Sequence, residues 1–430
     1  MREMDVLKEF TLRIPLSTSV VAATALIVTL TYFYSASSDS KGNMTVQQQP
    51  KKNIVIVGYG PAGMGVVKDL LARKLPPEYR IVVLEKHGYA FYPIPSLRAA
   101  VQKGWEEKAI FPLPTGSSSF LPSPHLLLPS TSVERLAKDH VILSTAHPDF
   151  GIETVLPFEY CVVCTGSQYA TPCRLPDEAI TPEEGKEALR KLQREYEAAE
   201  EVLIVGGGPV GVEGAGEIKE KYPNKKVTLV MKEAAPLAHA FPTQTKFTST
   251  LLTHLREVGV RVITEDRINV DGFVTGGLPR TKFVSSKGVE VTADFIFVAT
   301  GTRVFKSLVS SLDENSMLPG KGALVRDTLQ LDTPNGWRIF VVGDAAGVEG
   351  EMKNAGAIMK QAPFVGKNIL ASIKNQPLTG GYKPSAPLSV VPIGTKHGSG
   401  FLFGFTMPTF FVRKLKGEGL LVDRWLSNFK

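Results

Sequence analysis

The apolar positions of this chain fall into short β-branched runs that alternate with small-residue helical stretches. Ile54-Val55-Ile56-Val57 carries no polar alternation, which predicts a strand buried on both faces, as in parallel sheets. Gly58-Tyr59-Gly60-Pro61-Ala62-Gly63 follows it, and then an apolar helical stretch from Met64 to Leu75. The next run, Arg80-Ile81-Val82-Val83-Leu84, ends at Glu85. The same order returns at Val202-Leu203-Ile204-Val205, with Gly206-Gly207-Gly208-Pro209-Val210-Gly211, a helix to about Lys221, and the strand Val227-Thr228-Leu229-Val230. That second strand ends at Met231-Lys232-Glu233. Three further apolar runs break at glycine turns. They are Phe158–Val163 into Thr165-Gly166, Asp294–Val298 into Thr300-Gly301, and Ile339–Val342 into Gly343-Asp344-Ala345. Strand, helix and strand, twice over, predict an α/β protein with two Rossmann-like, three-layer units.

Both glycine loops read G-x-G-x-x-G between a strand and a helix. In that setting the first glycine makes the tight turn, the second lets a pyrophosphate approach the backbone, and the third lets helix and strand pack closely. The helix start then offers N–H groups and the positive end of its dipole to phosphate. Two such loops in one chain point to two dinucleotides, as in a flavoprotein that takes hydride from a nicotinamide. Glu85 at its strand end can accept from both ribose hydroxyls of an adenosine, which assigns FAD to the first loop. At the second loop the acid is replaced by Met231, and Lys232 can attract a 2′-phosphate. Gly206, Gly208, Pro209, Gly211, Lys232 and Gly301 are therefore the candidate NADH or NADPH residues. Gly166 belongs to the flavin half. The Asp344 carboxylate can bond a ribityl hydroxyl, or can cap a following helix.

The order of these motifs resembles the pyridine nucleotide–disulfide oxidoreductase superfamily. Ser96-Leu97-Arg98-Ala99-Ala100-Val101, the stretch Val205–Glu213 with Glu217-Ile218-Lys219, and the tail from Gly398 to Trp425 resemble its apoptosis-inducing-factor-2-like, or ferroptosis suppressor, group. The resemblance covers residues 51–430. It implies flavin contacts at Gly58, Gly60, Pro61, Ala62, Gly63, Arg98, Val133 and Asp344, with Arg98 near the pyrophosphate, Val133 at the adenine and Lys353 close to the flavin. It also implies a flavin domain split between residues 51–168 and 292–375, a nicotinamide domain at 169–291 inserted into it, and a C-terminal α+β extension at 376–430. No protein acid or base is obligatory for hydride transfer, so the flavin carries the chemistry.

Cysteine usage narrows the electron acceptor. Disulfide reductases of the superfamily place a close cysteine pair beside the flavin, and this chain has three cysteines in 430 residues. Cys161 and Cys164 lie in one predicted strand, where residues three apart face opposite sides. They read as buried apolar thiols in a reducing compartment, and no zinc spacing exists. The acceptor expected from the resemblance is a quinone. A respiratory type II NADH:quinone dehydrogenase and a low-turnover binding or death-signalling flavoprotein remain open alternatives.

Charge and the termini bear on location. The net charge of +7 suits anionic lipid or phosphate-bearing cofactors, while no basic cluster or recognition motif supports a nucleic-acid partner. Ile14–Tyr34 holds 21 residues without a charge, long enough as a helix for roughly 31 Å. It is the expected membrane anchor, with residues 35–52 as a polar linker and residues 1–50 forming a separate N-terminal segment. Organelle targeting is the alternative, although Glu3, Asp5 and Glu9 oppose a mitochondrial presequence. Arg2 after the initiator Met excludes N-myristoylation. The catalytic body is expected at a membrane on its cytosolic face, or in a mitochondrion. Phe111–Pro129 reads as a long proline-rich loop, and the aromatic stretch Phe401–Val412 as terminal packing or a lipid-facing end. Nothing in the sequence sets the oligomeric state.

Overall fold

The computed structural model describes residues 51–429 apart from 302 and 306. Strand β1 (Lys52–Val57) is buried from Asn53 onward. It leads through the first glycine loop into helix α1 (Pro61–Ala72), then to β2 (Tyr79–Leu84), which lies parallel to β1 with Ile54 opposite Ile81. The chain next forms the short helix α2 (Ser96–Ala99). Strand β3 (Leu126–Leu128) then adds to β2 in parallel, and β4 (Tyr160–Val163) adds to the other side of β1. The proline-rich stretch is thus not all loop. Its Leu126-Leu127-Leu128 is an edge strand, whose three buried leucines fit a sheet covered on both faces.

Helix α3 (Pro182–Ala198) carries the chain into a second sheet. Thr181 and Glu184 form a reciprocal capping box at its start. Strand β5 (Glu201–Val205), helix α4 (Pro209–Lys221) and strand β6 (Lys226–Val230) repeat the first βαβ unit, with β5 and β6 parallel. Helix α5 (Thr245–Glu257) leads to β7 (Val260–Ile263), the next parallel strand out. Strand β8 (Gly276–Val284) pairs antiparallel with β9 (Glu290–Val298), and β9 returns parallel to β5. The order is β7-β6-β5-β9-β8.

The chain then re-enters the first sheet. Strand β10 (Ile339–Val341) pairs with β4, completing the order β10-β4-β1-β2-β3. Helix α6 (Ala355–Ile373) packs across α1, where small residues allow close approach: a Cβ on Gly65 would meet Ala362 at 3.1 Å. The chain ends in a three-stranded antiparallel sheet, β11 (Ser389–Ile393), β12 (His397–Leu402) and β13 (Phe405–Met407), followed by helical turns. The fold is therefore two Rossmann-like units with a small C-terminal α+β extension. Ile14–Tyr34 and the N-terminal linker lie outside the described residues. Among the described residues, no helix is long and apolar enough to cross a membrane.

Candidate functional site

The two glycine loops have matching steric logic. Gly58 has φ +96°, and a Cβ there would meet the Cys164 carbonyl oxygen at 2.8 Å; at Gly206, φ +125°, it would meet the Ala299 oxygen at 2.2 Å. A Cβ on Gly63 would reach the Gly58 oxygen at 2.0 Å, and one on Gly211 the Gly206 oxygen at 2.0 Å. At Gly60 and Gly208, by contrast, an added Cβ meets nothing within 4 Å. The first and third glycines serve the fold, and the middle one keeps a space open. Gly60 and Gly208 are the N-cap residues of α1 and α4, and no side chain caps either helix. The first-turn N–H groups are left for an anion such as a pyrophosphate.

A cleft of about 1870 Å³ runs over the C-terminal ends of the first sheet. Single small-molecule sites hold roughly 300–1,000 Å³, so this cleft has room for a large dinucleotide and a second molecule. Gly58, Gly60, Pro61 and Ala62 line it from the first glycine loop and the start of α1, and Glu85, Val133, Gly166, Asp344 and Lys353 from surrounding segments. Pro209 and Glu213 of α4 reach it from the second sheet. Gly206, Gly208, Gly211, Lys232 and Gly301 lie outside its lining, around the second loop.

Two carboxylates anchor the cleft. Glu85 accepts the Tyr59 N–H at 2.7 Å, which fastens the end of β2 to the first glycine loop. It also accepts the His87 N–H at 3.0 Å and faces the His87 ring nitrogen Nδ1 at 3.0 Å. Asp344 accepts from the Ser167 hydroxyl at 2.7 Å and the Tyr169 hydroxyl at 3.1 Å, both on its Oδ2. Asp344 does not cap the next helix; Asn354 does, accepting the Ala357 N–H at 3.1 Å. The Lys353 ammonium donates to the backbone carbonyls of Asp344 and Ala346, and burial lowers its pKa, opposed by Asp344.

Arg98, Lys232 and Met231 stand outside the cleft lining. Arg98 is not at the glycine loop: it is 2% exposed and donates to Glu217 of α4 and to the tail carbonyls of Gly417 and Glu418. A carboxylate and two carbonyls already occupy its fork, so it does not reach the cleft lining. Lys232 is exposed and sits 3.5 Å from Glu233, which neutralises part of its pull on a phosphate. Met231 is buried, with its sulfur 2.8 Å from where a Gly207 Cβ would sit, so the second loop packs on a thioether where the first binds a carboxylate.

Sequence reading missed a partly buried ion pair in the cleft wall. The Lys416 ammonium donates to Glu213 Oε1 at 2.6 Å, and both residues line the cleft. Burial raises the Glu213 pKa, and Lys416 opposes the rise. The partners stand far apart in sequence and meet only because the tail folds back over α4, so no spacing rule could find them. His397 likewise comes from a remote segment to His254 and Glu257 of α5, and the ligand-type atoms of the three lie within 4.8 Å of one another. There the Gly398 N–H donates to His254 Nδ1 at 3.2 Å, which puts the neutral ring's proton on Nε2 and leaves that nitrogen a donor. The cluster ties α5 to β12.

Residues 52–362 match the family description of the pyridine nucleotide-disulphide oxidoreductases. The chain belongs to this family. It is an oxidoreductase that uses FAD and NADH or NADPH. Among curated relatives, it is similar to the FAD-dependent oxidoreductase FVFD30 of Flammulina velutipes, 31% identical over 62% of this chain and 80% of that one. It is also similar to ferroptosis suppressor protein 1 of Mus musculus, 27% identical over 86% of this chain and 94% of that one. The sulfide:quinone oxidoreductase of Aquifex aeolicus shares the fold, with a TM-score of 0.64, 16% identity, and coverage of 88% of this chain and 91% of that one.

In this member of the pyridine nucleotide-disulphide oxidoreductases, all three cysteines are free thiols. Cys161 packs with Val55 and Val163 on one side of the first sheet, and Cys164 with Ile56 and Val162 on the other. Burial raises both thiol pKa values. Cys173 lines the cleft, but burial pushes it up to about 12, so it stays a thiol near neutral pH.

Proposed function

We propose that this protein passes electrons from NADH or NADPH, through FAD in the first glycine cradle, to a quinone at a membrane surface. The observation that carries the reading is the cleft itself. Besides the first glycine loop it is lined by the apolar side chains of Met352, Ile358, Met359, Leu388, Leu415 and Leu421, and burial holds its cysteines as thiols. In the balanced reaction, NAD(P)H, a proton and a quinone give NAD(P)⁺ and a quinol.

FAD, when bound, supplies the hydride-accepting and electron-delivering chemistry. The chain's own groups do the rest. Gly58, Gly60, Pro61, Ala62 and the α1 N–H groups take the FAD pyrophosphate, with Gly63 setting the close turn behind them. Glu85 takes the adenosine ribose and Val133 the adenine. Asp344, fixed by Ser167 and Tyr169, takes a ribityl hydroxyl, while Gly166 keeps the turn beside it open. Gly206, Gly208, Pro209 and Gly211 take the nicotinamide dinucleotide, with Gly301 across from them and Lys232 at its ribose end. Glu213 and Lys416 stand where the acceptor arrives and can hold and move the proton it needs.

The membrane part of the proposal rests on the tail. Phe403, Phe405, Phe410, Phe411 and Leu415 are between 47% and 82% exposed, and Arg413 and Lys414 stand among them. Soluble surfaces rarely gather so many large apolar groups, and a basic fringe suits anionic lipid. The test is steady-state NADPH and NADH oxidation by the FAD-loaded protein with short-tailed quinones in solution, long-tailed quinones in liposomes, disulfides and ferredoxin. Sustained turnover with both quinone classes is expected. Turnover only with disulfide or ferredoxin, or none with any acceptor, would overturn the reading.

A further inference from the structure

We infer that Arg98 is a positioning residue of the acceptor side: it pins the tail turn that brings Lys416 to the cleft. The guanidinium ties together three segments distant in sequence. On α2, Arg98 is buried beneath the Trp105 ring, 4.6 Å from its centroid. Its Nε and one terminal nitrogen donate to the two oxygens of Glu217, each at 2.8 Å. The same terminal nitrogen donates to the Gly417 carbonyl at 2.8 Å, and the other to the Glu418 carbonyl at 3.0 Å.

Those two carbonyls belong to the residues directly after Lys416. Glu217 lies one helical turn after Glu213, the partner of Lys416. Arg98 and Lys416 therefore fasten the same tail turn to the same face of α4, Arg98 from beneath and Lys416 at the cleft. Only the planar fork of an arginine serves a carboxylate and two carbonyls at once; a lysine supplies the charge without the geometry. Both side chains are buried, so the hydrogen bonds of the pair are shielded from water; burial raises the Glu217 pKa and Arg98 opposes the rise. The kinetic consequence rests on the quinone reading above, whereas the structural consequence does not.

The experiment uses the full-length, FAD-loaded protein. Removing Arg98 alone strands a buried carboxylate, so the principal variant is Arg98→Met with Glu217→Met, an apolar replacement of the whole pair. Arg98→Lys is the second variant and guards against misfolding of the first. Three quantities are read: the FAD dissociation constant, the rate of tryptic cleavage at Arg413, Lys414 and Lys416, and the separate rates of flavin reduction by NADPH and reoxidation by a short-tailed quinone. FAD affinity and flavin reduction are expected to stay within about twofold of wild type. Tail cleavage should rise, and reoxidation fall, by about tenfold or more, the scale set by losing charge-assisted hydrogen bonds. Arg98→Lys should fall between wild type and the double variant. Weakened FAD binding with a protected tail would make Arg98 a pyrophosphate ligand and overturn the inference, as would unchanged tail cleavage in both variants. If wild-type protein reduces no quinone, the affinity and cleavage measurements still decide it.

Discussion

At the scale of single residues, the presence or absence of one Cβ separates the glycines of each loop. A glycine with no room for a Cβ and a glycine with open space beside it look identical in the chain. Their order in G-x-G-x-x-G separates them, and the contacts at Gly58, Gly60 and Gly63 follow that order. The place of Glu85 was legible because β2 runs beside β1 and ends next to the loop whose Tyr59 N–H it accepts. Arg98 was not, because its partners Glu217, Gly417 and Glu418 come from remote segments, and burial turned a candidate phosphate ligand into an internal ion pair. Asp344 offers a direct check. With Ser167 and Tyr169 both on Oδ2, its other oxygen can serve a ligand. Asp344→Ala should weaken FAD binding by roughly 10- to 100-fold, the value of a hydrogen bond to a charged group. The readout is flavin content after gel filtration together with a titration of the apoprotein. Stoichiometric flavin at wild-type affinity would reject the assignment.

At the scale of elements, the parallel strands were readable because fully buried runs such as Ile54–Val57 and Val202–Val205 need no alternation. Elements without such a run were missed. Leu126–Leu128 is too short to stand out of its proline-rich surroundings, yet three leucines are enough to extend the sheet once β2 is beside them. The antiparallel β8–β9 pair depends on a clamp that no pattern reveals. Asp266, just past β7, accepts from the hydroxyls of Ser285 at 2.5 Å and Ser286 at 2.9 Å, and from the Arg267 and Lys287 N–H groups at 2.8 and 3.2 Å. These bonds, that of Ser285 first, hold its pKa down to about 2. A carboxylate with a depressed folded-state pKa stabilises fully above its unfolded value of about 3.9, and loses that contribution as pH falls toward its folded value. The stability gap between wild type and Asp266→Asn should therefore be constant from about pH 7 to pH 5 and narrow below about pH 4. Thermal melts across that range check it; a gap independent of pH would mean the clamp does not act through ionisation.

At the scale of the whole molecule, duplication is the organising fact. One βαβ unit appears twice, and the copies diverge at the strand ends: a carboxylate at Glu85, a buried thioether at Met231. The tail then folds back over α4, so that Lys416 meets Glu213 and closes one wall of the cleft. The repeated unit was legible in the sequence, and the closure by the tail was not, because it depends on side chains that meet only after both sheets have formed.

The central claim is that the two cradles hold different dinucleotides and pass electrons between them. Gly208→Val tests it most directly. Gly208 has φ −73° and ψ 176°, and a Cβ there meets nothing within 4 Å, so the apoprotein can accept valine. Only a pyrophosphate lying against that backbone would be excluded. The measurement is anaerobic titration with NADPH, followed by the bleaching of the flavin absorbance. Wild-type protein should bleach with one equivalent, since each NADPH delivers the electron pair that one FAD accepts. The variant should keep its FAD and stay yellow. Bleaching of the variant at the wild-type rate, or loss of its FAD, would contradict the account.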